Sequence, residues 1–232
     1  MLRSCREPIA RVVAVTLAVC FAVWADEPAP RKPAPVMTFH GAEWLERPER
    51  EQEEMPDEVI RTMGLKPGDI VADIGCGTGY FSRRMAKAVA PNGKVYANDI
   101  QPEFLEMVKA NCAKEGVTNV ETVLGAEDDP KLPKAAIDWI LLTDVYHEFQ
   151  QPEPMLARML ECLKPDGKVA LIEYRLLGDT AKHIKEEHRM SVRQVLAEWN
   201  EAGFELVDLL EFLPSQHFFI FQRDPDRVAH TE

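Results

Sequence analysis

Cysteine is scarce in this sequence, and its spacing excludes a disulfide-stabilised scaffold. The chain has 5 cysteines. Beyond the N-terminal segment three remain, Cys76, Cys112 and Cys162, which lie far apart in a predicted turn and two predicted helices. An odd number at such spacing provides neither a disulfide framework nor a zinc ligand set. We expect all three to be small, buried or half-buried side chains.

Basic residues are also fewer than acidic ones. The 27 Lys and Arg residues are outnumbered by 39 Asp and Glu residues, which gives a formal net charge of -12. Nucleic acids are bound largely through basic side chains that neutralise phosphates. We therefore expect no nucleic-acid partner.

No apolar run is long enough to span a bilayer comfortably. Residues 12–24 are apolar, follow three arginines and end in a small-x-small site at 23–25, an order typical of a secretory signal. We predict a cleaved signal peptide over residues 1–25, export to the periplasm or beyond, and no stable membrane insertion after cleavage. The alternatives are an uncleaved anchor, lipidation at Cys20, or translation from Met37, which would give a cytoplasmic protein.

Length and hydrophobic content limit the number of domains. A chain of 232 residues with 46% hydrophobic content can bury one sizeable core, whereas two domains would each be small. We predict a disordered linker at 26–36, a lid or cap segment at 37–55, one domain at 56–223 and a flexible tail at 224–232. The sequence leaves the oligomeric state open.

Apolar strands alternate with amphipathic helices through the predicted domain. We predict strands over 71–74, 94–100, 120–124, 137–142, 168–174, 204–212 and 217–221, and helices over 56–63, 80–90, 102–116, 154–163 and 191–203. A turn at 164–167 precedes the fifth strand, and Ser191 with Gln194 forms a capping box. The alternation, ending in a hairpin, predicts an α/β fold: a doubly wound, mainly parallel seven-stranded sheet with a C-terminal antiparallel hairpin.

Three glycines at alternate positions follow the first predicted strand. Residues 71–80 read Val-Ala-Asp-Ile-Gly-Cys-Gly-Thr-Gly-Tyr, which predicts a strand, a sharp turn and the start of a helix. Such a turn needs backbone angles that side chains disfavour, and it lets bare backbone approach a nucleotide-like ligand.

The glycine spacing and two acids narrow the choice of ligand. Dinucleotide folds prefer Gly-x-Gly-x-x-Gly, a spacing that this turn lacks. Asp73 would repel a pyrophosphate and attract a cation carrying an ammonium and a sulfonium group. Asp99, at the end of the second strand, can accept hydrogen bonds from two ribose hydroxyls. The pattern favours S-adenosylmethionine over NAD, with another ligand of a Rossmann-type protein as the alternative.

Residues 73–79 resemble motif I of the class I S-adenosylmethionine-dependent methyltransferases, and Asp99 resembles their motif II acid. The similarity covers about 57–222, including the turn at 163–168 and the terminal hairpin. It implies the Rossmann-like methyltransferase fold and S-adenosylmethionine as cofactor. The donor-binding residues that follow from the motifs are Asp73, Gly75, Cys76, Gly77, Gly79, Asp99, Ile100, Glu127, Asp128 and Asp144.

Candidate catalytic residues follow the fourth and fifth strands, beyond whose carboxyl ends such folds bind their acceptor. Asp144, Tyr146 and His147 lie in one dense stretch, where Asp144 and His147 could meet on one helical turn as an oriented base. His188 comes from the loop after strand five, and we expect Glu173 to be a buried strand-end acid that faces the pocket. The alternatives are a packing role for His147 and a solvated position for His188.

A metal site is not predicted, because the separations of His147, His188 and His217 from Asp144 are compatible with any arrangement. The sequence predicts a methyltransferase of class EC 2.1.1.- that acts on a small molecule. A protein acceptor is an alternative. Since the methyl donor is made in the cytosol, an exported binding or sensing module without turnover is another.

Overall fold

The computed structural model describes residues 32–228 of the chain. The signal-peptide prediction, most of the predicted linker and residues 229–232 lie outside this range. Among the described residues, no helix has the length and apolar character needed to cross a membrane.

Seven strands form one sheet in the order β3-β2-β1-β4-β5-β7-β6. β7 is antiparallel to both of its neighbours, and the other pairings are parallel, which confirms the predicted doubly wound sheet and hairpin. The strands are β1 Ile70–Ile74, β2 Lys94–Asp99, β3 Val120–Leu124, β4 Ile137–Thr143, β5 Leu163–Tyr174, β6 Phe204–Leu210 and β7 Gln216–Arg223.

Eight α-helices accompany the sheet within the described range. They are α1 Ala42–Leu45, α2 Arg50–Glu53, α3 Pro56–Met63, α4 Tyr80–Val89, α5 Pro102–Glu115, α6 Pro152–Cys162, α7 Val192–Glu201 and α8 Pro225–Val228. Short 3-10 turns cover Phe39–Gly41, Tyr146–Glu148 and Glu186–His188. The last helix lies in the segment predicted as a flexible tail.

Packed layers of apolar side chains cover both faces of the sheet. One face carries Trp199 of α7, which stacks on Phe221 of β7 with ring centroids 4.5 Å apart. The other face carries Val59 of α3 and Met85 of α4. Because β1 and β4 are covered on both sides, their near-continuous apolar sequences are those of central parallel strands.

β5 begins earlier than predicted. The segment predicted as a turn at 164–167 belongs to the strand, where the pairing with β4 shifts from Ile137 opposite Leu163 to Trp139 opposite Lys168. The Lys164 ammonium lies 2.7 Å from both carboxylate oxygens of Asp138 and ties the irregular stretch to β4. Turn-forming residues are therefore accommodated as a bulge at the strand start.

Only half of the predicted capping box forms. The Ser191 hydroxyl accepts the Gln194 backbone N–H at 3.1 Å, but the Gln194 side chain donates to Glu198 at 2.6 Å. One otherwise unpaired backbone N–H at the start of α7 is thus capped. The side-chain amide of Gln194 bonds to Glu198, one turn further along the helix, and does not return to the Ser191 backbone.

The N-terminal end of the described chain lies against the domain. Ala34, near the end of the predicted linker, is buried and donates its N–H to the His147 carbonyl at 2.9 Å. In the predicted lid, the buried Arg50 pairs with Glu54 at 2.7 Å and lies over the Tyr80 ring at 4.3 Å. The segment is thus held by charge and aromatic contacts.

Candidate active site

A cavity of about 380 Å³ opens at the carboxyl ends of β1, β2, β4 and β5. This is the edge of the sheet at which the strand order reverses and doubly wound folds bind ligands, and the volume suits a small molecule. Met37, Trp44 and Leu45 of the predicted lid line the cavity, as do residues 183–185 and His188 from the loop after β5.

The glycine turn forms one wall. Gly75, Cys76 and Gly77 line the cavity, and Gly75 and Gly77 have φ of 69° and 51°. A Cβ on Gly75 would lie 2.3 Å from Val145 Cγ2, and one on Gly77 would lie 2.7 Å from Leu45 Cδ1. Glycine at 75 and 77 therefore leaves room for the chain beyond β4 and for the lid, which both approach the turn closely.

Gly79 does not line the cavity. It has φ of 79° at the N-terminus of α4 and packs against Val108 of α5. The third glycine of the predicted motif thus serves the junction between turn and helix.

Asp99 ties the end of β2 to this turn. Its carboxylate accepts the backbone N–H of Gly77 at 3.0 Å and that of Gln101 at 2.9 Å. Burial raises its pKa above the usual value, although these N–H groups act in the opposite direction. Asp99 lines the cavity together with Ile100 and, from the loop after β3, Glu127, whereas Asp128 does not.

Asp73 lies beneath the turn rather than on the cavity wall. It is 3% exposed, and its carboxylate accepts the hydroxyl hydrogen bond of Ser82 from α4. Alternation along β1 directs residues 71 and 73 to the same face, and residue 71 packs with α4. Direct contact with a cationic ligand, as predicted for Asp73, is not what this geometry provides.

Directly after β4, Asp144 lies among other acidic groups. Asp144 has φ of 51°, and its Oδ2 accepts Gln216 Nε2–H at 3.1 Å. Burial, followed by the nearby Glu54 and Glu173, raises the pKa of Asp144 well above its usual value. Glu54 also lines the cavity. Its place in an acid-dense stretch of the sequence is typical of a solvated surface and gave no indication of this position.

His147 is held by Glu173 at the floor of the cavity. His147 is 4% exposed and Glu173 is fully buried. The Glu173 carboxylate lies 2.6 Å from His147 Nδ1 and accepts the His147 backbone N–H at 3.2 Å. His188 completes the group, with its Nδ1 3.1 Å from His147 Nε2. The predicted pairing of Asp144 with His147 is replaced by these contacts.

Charge around the two histidines separates their pKa values. Burial alone would lower the pKa of His147, but Glu173, Asp144 and Glu148 outweigh it and raise the pKa. Burial and the neighbouring His147 lower the pKa of His188. Burial raises the pKa of Glu148 to about 7. Sequence reasoning did not select Glu148, although it directly follows His147.

Tyr146, predicted as catalytic, does not line the cavity. Its ring is fully buried between Phe149 and Trp199, with centroids at 5.4 Å and 5.5 Å, and its hydroxyl donates to Glu198 of α7. In the 3-10 turn at 146–148, neighbouring side chains point in different directions, so Tyr146 enters the core while His147 reaches the cavity. This geometry corrects the prediction for Tyr146.

The cavity suits a cationic adenosyl ligand. Within residues 32–228, three buried oxygens on its wall have no hydrogen-bond partner: Glu54 Oε2, Thr143 Oγ1 and Asp144 Oδ1. Unpartnered buried oxygens are costly unless a ligand satisfies them, and two of these belong to carboxyl groups. An ammonium group could donate hydrogen bonds to these carboxyl oxygens, and Asp99 lies where ribose hydroxyls are expected.

Fold and site together define a class I methyltransferase domain. Residues 65–212 match the family model described as "Methyltransferase domain". Because this match covers more than half of the chain, the protein belongs to that family. Its cofactor is S-adenosylmethionine.

Individual methyltransferases are also similar to this chain. A SAM-dependent methyltransferase structure from Aquifex aeolicus aligns with a TM-score of 0.76 and 26% identity, over 80% of this chain and 98% of that one. Protein-L-isoaspartate O-methyltransferase of Pyrococcus horikoshii is 34% identical over 131 residues, 56% of each chain. The mitochondrial ubiquinone biosynthesis O-methyltransferase of Schizosaccharomyces pombe is 29% identical over 167 residues, 70% of this chain and 60% of that one. The chain thus spans about 56 to 60% of these two curated relatives.

Proposed function

We propose that the protein transfers a methyl group from S-adenosylmethionine to a small-molecule acceptor. The observation that carries this proposal is one cavity that joins the glycine turn and Asp99 to the histidine-lined ends of β4 and β5. When bound, S-adenosylmethionine supplies an electrophilic methyl group on a sulfonium ion.

The donor half of the cavity would be formed by residues from β1, β2 and the loop after β3. The turn presents backbone at Gly75 and Gly77, and Asp99 offers a carboxylate to the ribose. Ile100 and Glu127 line the adjoining wall, where adenine is expected. The acidic end of β4 would face the positively charged part of the ligand.

The acceptor half combines apolar walls with a polar floor. Trp44, Phe149, Met155 and Ile184 line it from the lid, the loop after β4, α6 and the loop after β5, and His147 lies at the floor. These contacts suit an acceptor with an apolar body and one polar end. Since orientation supplies much of the rate in such a displacement, these walls would act mainly by positioning the acceptor.

The size of the cavity and the charge of the protein both favour a small acceptor over a macromolecule. Lid residues Met37, Trp44 and Leu45 line a space of about 380 Å³, which is suited to a small molecule. The net charge of -12 opposes a nucleic-acid acceptor.

Calorimetry with S-adenosylmethionine and a labelled-methyl assay over small hydroxy, amino and thiol compounds test this proposal. We expect the wild-type protein to bind the donor and methylate a subset of acceptors. His147→Ala should bind the donor with unchanged affinity and lose turnover. Absence of donor binding contradicts the proposal. Donor binding without turnover supports a sensing module, and label incorporated into protein supports a protein acceptor.

Export is proposed from the N-terminal sequence alone. The arginines, apolar stretch and small-x-small site of residues 1–25 support it. N-terminal sequencing of the protein from fractions of its host tests it. A mature start at Asp26 in the extracytoplasmic fraction supports export, and a start at Met37 contradicts it.

A further inference from the structure

Two histidines and a carboxylate converge at the floor of the acceptor half. We propose that His147, His188 and Glu148 bind a divalent transition-metal ion of the Zn²⁺ type. One potential ligand atom from each residue lies within 4.8 Å of the others. Placing the acceptor beside this ion rests on the proposed function, whereas the metal site itself does not.

The distance between the histidine nitrogens suits a shared ion. His147 Nε2 and His188 Nδ1 are 3.1 Å apart. With Zn–N bonds of about 2.0–2.1 Å, two nitrogen ligands lie about 2.9 Å apart at a right angle and about 3.3 Å apart at the tetrahedral angle. The observed separation falls between these values and is therefore compatible with one ion shared by both imidazoles.

Glu173 presets His147 for this role. With the Glu173 carboxylate as the acceptor of the 2.6 Å contact, a neutral His147 ring carries its proton on Nδ1 and has Nε2 as the ligating atom. A buried carboxylate behind the distal nitrogen is the arrangement that orients metal-bound histidines. Because Glu173 is fully buried, it also needs positive charge nearby, which a histidine-bound cation provides.

The third ligand comes from the residue next to His147. Glu148 is half-buried on the cavity wall, and its Oε1 accepts the Met37 backbone N–H at 3.1 Å. Two imidazoles and one carboxylate form a donor set found in catalytic zinc sites and in other transition-metal sites with open positions. The positions not used by the protein would face the acceptor.

The charge balance of the cavity favours a cation here. Its wall carries five acidic side chains, whereas its Lys and Arg side chains within the described residues are Arg50, paired with Glu54, and Lys185. A bound donor cation would face the Asp144 end. The group around His147 therefore keeps negative charge that a divalent ion can neutralise. The competing arrangement is a metal-free pair in which one imidazole donates to the other.

Metal titration of the full chain separates these two arrangements. Protein freed of metal by chelation is titrated with Zn²⁺ in a calorimeter and with Co²⁺ while visible absorption is recorded. We expect one equivalent to bind, with His188→Ala and Glu148→Gln weakening the affinity more than tenfold. Glu173→Gln keeps all three ligands and should weaken it about 10- to 100-fold. His183→Ala, an exposed cavity histidine five residues before His188, is the matched control and should bind as the wild type does.

Three outcomes overturn the metal site: no binding by the wild type, full affinity in both His188→Ala and Glu148→Gln, or equal loss in His183→Ala. Circular dichroism of each variant checks folding, and donor calorimetry on the same samples separates this proposal from the proposed function. Donor binding and turnover in metal-free protein that takes up no Zn²⁺ would overturn the metal site alone. One equivalent of bound Zn²⁺ without donor binding would support the site and contradict the methyltransferase proposal.

Discussion

Asp99 has two roles at the end of β2. Its carboxylate accepts N–H groups from Gly77 and Gln101, which joins the turn to the start of α5, and it also lines the donor half of the cavity. The residue that would bind the ribose therefore helps to shape the turn that would bind the rest of the donor.

Substitution of Asp99 should weaken donor binding. Loss of charge-assisted hydrogen bonds to ribose hydroxyls in Asp99→Ala should cost about 1.5–3 kcal/mol, which calorimetry reads as roughly a 10- to 150-fold higher dissociation constant. Asp99→Asn keeps one acceptor oxygen and should lose less. An unchanged affinity in Asp99→Ala would refute the assigned role.

Substitutions of Glu127 and Asp128 can be compared to test the expected position of the adenine of the donor. Both follow β3, but the structure places Glu127 on the cavity wall and Asp128 off it. We expect Glu127→Ala to raise the dissociation constant of S-adenosylmethionine several-fold and Asp128→Ala to leave it unchanged. Equal effects of the two substitutions in the same calorimetric assay would contradict this placement.

The position of a site residue could be predicted from the sequence where it depends on local sequence, and not where it depends on a contact between distant segments. Residues next to the glycine turn or at strand ends, such as Gly75, Asp99 and His147, were expected near the ligand from local sequence and do line the cavity. The pairing of His147 with Glu173 spans 26 residues and depends on the β4–β5 register, so no spacing rule reveals it. Tyr146 was misassigned because the direction of its side chain is set by the tertiary fold.

At the scale of elements, the turn between β1 and α4 depends on its neighbours as much as on its own angles. Gly75 requires positive φ, and a Cβ there would also meet Val145 beyond β4. The glycine thus permits both the turn and the close approach of two central strands' ends.

Gly75→Ala should therefore destabilise the fold by about 1–3 kcal/mol, since it combines a strained φ with overpacking. Urea unfolding measures the change. The double variant Gly75→Ala/Val145→Ala removes the clash and keeps the strain, so it should recover part of the loss relative to Val145→Ala alone. No recovery would indicate that the clash does not contribute.

Element boundaries were predictable where a local residue ends the element. Pro56 and Gly64 bracket α3, and Pro102 and Gly116 bracket α5, as the sequence indicated. β5 was predicted too short because a Lys-Pro-Asp-Gly segment is typical of a turn. Pairing with β4 and the Lys164–Asp138 contact hold that segment in the strand, and such a contact is invisible from either segment alone.

At the scale of the whole molecule, a buried acid couples global stability to pH. Asp73 is buried under the turn, facing Ser82 of α4, Arg50 of α2 and Asp99 of β2. Burial raises its pKa from 3.8 to about 6, although Ser82 and Arg50 act to lower it. Between these two pH values the folded protein keeps a proton that the unfolded chain has lost.

Because the folded protein binds this proton more tightly than the unfolded chain does, lowering the pH stabilises the fold. Stability from protonated Asp73 is fully present below pH 3.8 and is lost as the pH rises through about 6. The difference between the two pKa values corresponds to about 3 kcal/mol in the free energy of unfolding. Asp73→Asn resembles the protonated acid and cannot ionise. Relative to wild type, its free energy of unfolding should therefore increase by about 2.4 kcal/mol between pH 4 and pH 7, because part of the difference falls below pH 4.

Urea unfolding of wild type and Asp73→Asn at intervals from pH 4 to pH 7 measures this difference while other titrating groups cancel. Ser82→Ala provides the companion test, because removing the hydroxyl that stabilises the carboxylate should move the pH at which stability is lost upward. A difference between Asp73→Asn and wild type that stays constant with pH would show that Asp73 is ionised throughout this range. The turn would then rest on a buried carboxylate, and the positive charge of Arg50 in the lid would be its main source of compensation.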